Sequence, residues 1–357
     1  MKIIELNQDQ FSLKNIMIQF ECESSKKAAE LMKRLHRNGN KVQLTERSIL
    51  VTFDIFELSL FVESLQTSSD KQELQNILHR HQLIWSGNNF SFDLTKKSIV
   101  YSILNITPDS FYDGAPENLT LSHILKRAES DINHGAAVLE LGGKSSRPGY
   151  SDITPEEEWL RLETPLKEIR RNFPQAILAV DTDEAYVMER ALDMGVDIIN
   201  DIDGFDTVDK LKVVENYHPA VVAMNNGRAG FSYADNVYEE LSQFFLKKSG
   251  ELSRLGLKRE QICIDPGVGF FTGPSGSDSV QRINTTEILT RLGLPVMIAI
   301  SRKSFMGNIF GVDVDERLFS TLMFEAKMML EGGRILRVHD VAETKRLIDA
   351  VELYKTF

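Results

Sequence analysis

An eight-stranded (β/α)8 barrel carrying a small α/β unit at its N-terminus is the architecture this chain encodes, on three grounds. From about residue 98, short apolar runs alternate with longer stretches of helical periodicity, eight times over. The apolar runs are hydrophobic almost throughout, as strands buried on both faces must be. The segment they occupy, roughly 260 residues, is the size of a closed barrel of this type.

The strands are expected at Ile99–Leu104, Val138–Leu141, Ile177–Val180, Ile198–Ile202, Ala220–Met224, Ile262–Ile264, Val296–Ile300 and Ile335–Val338. Helical spacing marks Leu121–Asn133, Pro155–Arg171, Ala185–Met194, Val237–Leu255 and Glu316–Leu330. An open doubly wound sheet is the alternative, but no G-x-G-x-x-G follows the first strand. Residues 1–90 form a separate small α/β unit, and residues 91–357 the barrel. In the first unit Ile16–Glu21 and Ser48–Phe53 read as strands, and Ser25–His36, Asp54–Leu65 and Lys71–Gln82 as helices. Gly87-Asn88-Asn89 reads as a linker. The unit shows no chemistry: its Lys and Glu residues read as solvated surface, and oligomer contact or barrel support suits it better than catalysis.

Composition narrows the class. The chain is 42% hydrophobic and 26% charged, the balance of a soluble globular protein. A net charge of −11 argues against nucleic-acid binding but leaves room for a local cationic pocket. Cys22 and Cys263 stand far apart in apolar runs, which fits a reducing cytosol and no disulfide framework. The start of the chain turns polar too soon for a signal peptide, and no uncharged apolar run is long enough to span a bilayer.

In such a barrel the active site lies at the C-terminal ends of the strands. All eight ends here carry polar groups. They are Asn105-Ile106-Thr107-Pro108-Asp109-Ser110-Phe111, Gly142-Gly143-Lys144-Ser145-Ser146-Arg147-Pro148-Gly149, Asp181-Thr182, Asn200-Asp201, Asn225-Asn226-Gly227-Arg228, Asp265-Pro266-Gly267-Val268-Gly269-Phe270, Ser301-Arg302-Lys303-Ser304 and Arg337-Val338-His339-Asp340. Alone, Asp181 could be a helix N-cap, Asp265 a turn residue and His339 a structural histidine. Together they make one rim. Carboxylates and an amide at Asp181, Asn200 and Asp265 can match the N–H edge of a flat nitrogen heterocycle. Lys303 can donate to a ring oxygen or nitrogen. Arg337 and His339, with the following helix N-terminus, suit an anion. Glu156-Glu157-Glu158 reads as a solvated first helical turn.

These runs resemble dihydropteroate synthase, within the pterin-binding barrels, over about residues 98–357. The resemblance implies a (β/α)8 barrel that joins 6-hydroxymethyl-7,8-dihydropterin pyrophosphate to 4-aminobenzoate, releasing pyrophosphate. It implies pterin contacts from Asp181, Asn200, Asp265 and Lys303, and an anion site at Arg337 and His339. Asp181, Asp265, Lys303, Arg337 and His339 are the expected catalytic set. Ser146, Arg147, Pro148 and Ser301 are expected near the aminobenzoate. Asp109, Met224, Gly267, Phe270 and Arg302 complete the substrate-binding set. Asn105 is expected to contact Mg2+. A cytoplasmic homodimer inhibited by sulfonamides follows from the same likeness.

The chain departs from the family's usual run in several places. Where that run has Asp-x-Gly-Gly-Glu-Ser-Thr, this chain has Glu140, Lys144 and Ser146. Asp183-Glu184 stand where a basic residue is usual after Asp-Thr, and Asn225 follows Met224 in place of His. The altered residues fall on the aminobenzoate side. A catalytically weak pterin-binding paralogue is therefore the second expectation. A methyltetrahydrofolate methyltransferase is a third, disfavoured by the Ser-Arg-Lys and Arg-x-His runs.

Overall fold

The computed structural model describes residues 1–37, 41–45, 47–66, 68–107, 120–144, 153–227, 236–270 and 276–356. The N-terminal unit is an antiparallel sheet of β1 (Lys2–Glu5), β2 (Ile16–Glu21), β3 (Lys41–Leu44) and β4 (Ser48–Phe53), in the order β1-β2-β4-β3. Strict alternation in β2 and β4 sends Ile16, Ile18, Phe20, Ile49, Val51 and Phe53 to one buried face. Helices α1 (Ser25–Arg37), α2 (Ile55–Glu63) and α3 (Ser69–Arg80) supply Leu31, Leu35, Leu58, Phe61, Leu74 and Ile77 to the same cluster. A capping box of Asp54 and Glu57 starts α2.

A hairpin follows, of β5 (Ile84–Ser86) and β6 (Ser91–Asp93). Gly87-Asn88-Asn89, expected as a linker, is its turn, closed by Gly87 N donating to Phe90 O at 3.0 Å. The reason is aromatic. Trp85 faces Phe92 across the strands and lies against Phe90 and Tyr101, so the segment is buried rather than left free. Asn89 Nδ2 also donates to Asp197 Oδ1 at 2.8 Å.

The barrel then runs β7 (Ile99–Asn105), α4 (Leu121–Asn133), β8 (Ala136–Gly142), α5 (Pro155–Asn172), β9 (Ile177–Asp181), α6 (Ala185–Asp193), β10 (Ile198–Asp201), α7 (Val208–Tyr217), β11 (Ala220–Met224), α8 (Val237–Arg254), β12 (Ile262–Asp265), α9 (Ser277–Asn284), α10 (Thr286–Thr290), β13 (Met297–Ile298), α11 (Ser304–Phe310), α12 (Leu318–Leu330), β14 (Ile335–Val338) and α13 (Val341–Thr356). Its eight strands are parallel, in the order β12-β11-β10-β9-β8-β7-β14-β13. A parallel bridge between Ile264 and Val296 joins the two ends of that order, completing the (β/α)8 barrel. Outward strand residues such as Leu139, Val180, Ile199 and Val221 pack under the helices. Among the described residues, no helix is long and apolar enough to cross a membrane.

One expected surface turn is not one. Glu156 and Glu157 are exposed, but Glu158 is buried. It falls on the inner stripe of α5 with Leu162, Pro165, Leu166 and Ile169, and helical spacing carries it inside. Burial pushes its carboxyl up to about 8, so it holds a proton at neutral pH.

Candidate active site

The inward-facing residues of the barrel change character from bottom to mouth. At the bottom Tyr101, Val138, Ala179, Ile198, Val222, Cys263, Met297 and Ile335 merge with Trp85 and the core of the N-terminal unit. That end is apolar and closed. Two residues further along β8, β9, β10, β12 and β14, the same face turns polar, at Glu140, Asp181, Asn200, Asp265 and Arg337.

The first polar layer is a network around Glu140. Its carboxylate is buried, and accepts from Arg337 Nε at 2.7 Å and from Asn200 Nδ2 at 2.9 Å. Arg337 Nη2 also reaches Glu140 and donates to Asp181 Oδ2 at 2.5 Å. Four strands are thereby joined: β8, β9, β10 and β14. The pairing fixes proton positions. Burial pulls the Arg337 guanidinium down, but Glu140 and Asp181 more than offset it and hold it charged. Burial pushes the Asp181 carboxyl above the usual range, with Arg337 opposing and Glu140 adding to the rise. Because a carboxylate only accepts, Glu140 turns the Asn200 amide so that its oxygen is left as the acceptor for the mouth.

A second group comes from β12 and the turn after β13. Asp265 is buried and takes Gly267 N at 2.8 Å. Burial raises its carboxyl, opposed first by Lys303 and then by the Gly267 N–H. Lys303 Nζ donates to Val268 O and lies 4.6 Å from the centre of the Phe270 ring. Burial draws this ammonium down to about 8, with Asp265 opposing. Gly269 must be glycine here: its φ is +85°, and a Cβ would come within 2.8 Å of Lys303 Cδ. Arg282 on α9 stitches this group from behind. It donates to Asn225 O at 3.0 Å, to Asn225 Oδ1 at 3.2 Å and to Pro266 O.

The third group sits at the rim. Ser301 Oγ lies 3.0 Å from His339 Nδ1 and 3.2 Å from His339 N, and Asn105 Nδ2 lies 3.5 Å from His339 Nε2. Arg127 donates to the His339 carbonyl and to Asp131 at 2.9 Å. Burial, then Arg337, pushes His339 down to about 3, so the imidazole is neutral. Among the described residues, the cations acting on His339 are Arg337 first, then Arg127 and Arg302.

The expected residues thus separate. Asp181, Asn200, Asp265, Lys303, Arg337, His339, Ser301, Asn105, Met224, Gly267 and Phe270 all lie at the C-terminal end of the barrel. Arg302 points elsewhere: it pairs with Asp340 at 2.8 Å through both Nε and Nη2, and Nη1 reaches the Val314 and Asp315 carbonyls at 3.0 Å. Asp109, Ser146, Arg147 and Pro148 lie outside the described residues. Sequence reasoning missed Arg282 and Arg127, which act through other residues. Each is a single arginine on an amphipathic helix, which carries no signal of its own.

A mouth of this kind offers a buried carboxyl at Asp265, a partly buried one at Asp181, an oriented amide oxygen and a partly buried ammonium above an apolar floor. Such a set recognises a flat, amide-like heterocycle by its edge. Comparison with known proteins agrees. The family model for pterin binding enzymes matches residues 101–339. The dihydropteroate synthase of Clostridium beijerinckii is 33% identical over 258 residues, 71% of this chain and 93% of that protein. The crystal structure of the Clostridium difficile dihydropteroate synthase, determined in the presence of pteroic acid, is 31% identical, with a TM-score of 0.68 over 74% of this chain and 100% of that one. A Xanthomonas albilineans dihydropteroate synthase solved with 4-aminobenzoic acid superposes with a TM-score of 0.68 at 27% identity, covering 77% of this chain and 97% of that one. By fold, site and likeness the chain belongs to the dihydropteroate synthases, transferases of the pterin-binding enzyme family.

Proposed function

We propose that the enzyme condenses 6-hydroxymethyl-7,8-dihydropterin pyrophosphate with 4-aminobenzoate, giving 7,8-dihydropteroate and pyrophosphate. The observation that carries this is the convergence of Asp181, Asn200, Asp265 and Lys303 on one barrel mouth. In this reading Asp181 and Asp265 accept N–H donors of the pterin edge, the Asn200 oxygen accepts another, and Lys303 donates to the ring. The aryl amine nitrogen attacks the methylene carbon as its bond to the pyrophosphate oxygen breaks, and the amine then gives up a proton. No protein nucleophile is needed. Met224, Gly267 and Phe270 shape the pterin pocket, Ser301 lies near the aminobenzoate, and Arg337 and His339 receive the leaving group. Arg302 is not among the residues that touch substrate.

Asn105 offers a carboxamide oxygen, the kind of ligand Mg2+ takes alongside water and phosphate oxygens. An ion at Asn105 would take water and substrate phosphate oxygens among its ligands. Bound there, Mg2+ would neutralise charge on the departing pyrophosphate.

Pyrophosphate release from the two substrates with Mg2+ tests the proposal. Turnover supports it. Tight pterin binding without turnover would favour the weak paralogue, a reading that gains weight from Arg337 being paired already with Glu140 and Asp181.

Residues 91–357 are the catalytic barrel in this reading, and residues 1–90 its N-terminal extension. We place the enzyme in the cytoplasm, on its two unpaired cysteines. We also assign it as a homodimer through the start of α12, where Phe319 and Met323 are 74% and 57% exposed and Phe310 of α11 is 50% exposed. The double variant F319E/M323E is expected to sediment as a monomer; an unchanged sedimentation coefficient, or a wild type that is already monomeric, would reject this face.

A further inference from the structure

Two of the departures noted in the sequence meet in space. Lys144 Nζ lies 3.0 Å from Asp183 Oδ1 and 3.1 Å from Glu184 Oε1. Lys144 follows the end of β8, and the two carboxylates stand between β9 and α6. All three are partly withdrawn from water, with side chains 15%, 18% and 32% exposed. A fully exposed pair would hold little. One ammonium shared between two carboxylates at this depth holds more.

The neighbouring residue is fixed from the other side. Arg161 of α5 donates to Gly143 O at 3.1 Å. A Cβ on Gly143 would fall 2.9 Å from Leu162 and 3.0 Å from the Glu158 carbonyl. Residue 143 is therefore pinned by α5 and residue 144 by the end of β9. Among the described residues, Glu158 from α5, protonated at neutral pH, also feels both Lys144 and Asp183.

We infer that Lys144, Asp183 and Glu184 are positioning residues, an ionic clasp that fixes the chain where it leaves β8, just before Ser146, Arg147 and Pro148 in sequence. The clasp rests on the proposed reaction, in which those three residues serve the aromatic amine. It requires opposite charges across the gap, not a given sign on either side.

Steady-state kinetics on the full chain test it, with K144M, K144E and the exchanged pair K144E/D183K. K144M is expected to raise KM for 4-aminobenzoate about tenfold, while KM for the pterin pyrophosphate moves by less than about twofold. K144E, which gathers three carboxylates, should be worse. K144E/D183K should return the amine KM to within about threefold of wild type. A merely structural role would lower Tm and shift both KM values together. That outcome, an unchanged amine KM in K144E, or failure of the exchange to recover it would each overturn the clasp. Absence of turnover in the wild type would instead count against the proposed reaction. The clasp would then be read by hydrogen exchange at residues 142–144 and 183–185, faster in K144E and slowed again in the exchanged pair; equal rates in all three would overturn it.

Discussion

Replacing Lys303 with methionine is expected to weaken dihydropterin binding by about 100-fold and, at the same time, to make the protein more stable. The two effects have one cause. The Lys303 ammonium is largely withdrawn from water, which draws its pKa from 10.5 down to about 8. At pH 7 it is still charged, so the folded state carries a penalty of about 3 kcal/mol relative to the unfolded chain. Methionine fills nearly the same volume without that penalty. Part of the gain is lost with the bond to Val268 O and the contact with the Phe270 ring. The sign of the pH dependence follows. The penalty is complete below about 8 and fades as pH rises toward 10.5, because there the unfolded chain binds the extra proton. The Tm advantage of K303M over wild type should therefore shrink between pH 7 and pH 10. Wild-type affinity for the pterin should fall over the first part of that range, as the donor is lost. Calorimetric titration and thermal melts at both pH values check this. An affinity unchanged in K303M would remove Lys303 from the pterin site; a lower Tm at pH 7 would show that its charge is not held at a cost.

The barrel was legible because its strands are predominantly apolar and are followed at or just past their ends by polar residues. α4, β11 and β14 lie where periodicity puts them, to the residue. The rim residues follow from the same rule, since the ends of parallel strands all open on one side. What the sequence hid is pairing. Glu140 looks like a lengthened carboxylate, yet the extra methylene lets it span Arg337 and Asn200 at once. Arg302 and Lys303 are adjacent cations, and only geometry separates them: a left-handed backbone at Arg302, φ 51°, turns one toward Asp340 and leaves the other inside. Three-residue strands such as β5 and β6 are too short to show a period, so a buried hairpin read as a linker. Glu158 was hidden by the two exposed glutamates before it.

That hairpin also gives the N-terminal unit a role in holding the barrel together, and removing residues 1–80 is expected to leave an aggregating, loosely packed remnant. The floor of the barrel is not closed by barrel residues alone. Leu83, Trp85 and Leu94 lie in one continuous cluster with Tyr101, Ala179 and Ile335 on one side and with Leu58, Phe61 and Ile77 on the other. Polar contacts flank the seam, one set within the N-terminal unit and one reaching it from the barrel. Ser12 N donates to His81 Nδ1 at 3.1 Å, so the other ring nitrogen carries the proton toward Glu5 Oε1 at 2.7 Å. Arg259 of the barrel lies 5.1 Å from the centre of the Phe11 ring and donates to Gly293 O at 2.8 Å. Truncation would expose the underside of this cluster, and a contiguous apolar patch promotes association. The point variant W85A isolates the effect. Trp85 is fully buried, and its loss should cost about 3–5 kcal/mol, a large share of the 5–15 kcal/mol that holds a typical domain. Because the floor and the mouth are at opposite ends of the strands, W85A should lower Tm sharply while the folded fraction keeps its pterin affinity. A truncated chain that melts cooperatively at the wild-type Tm would show that the barrel closes its own floor.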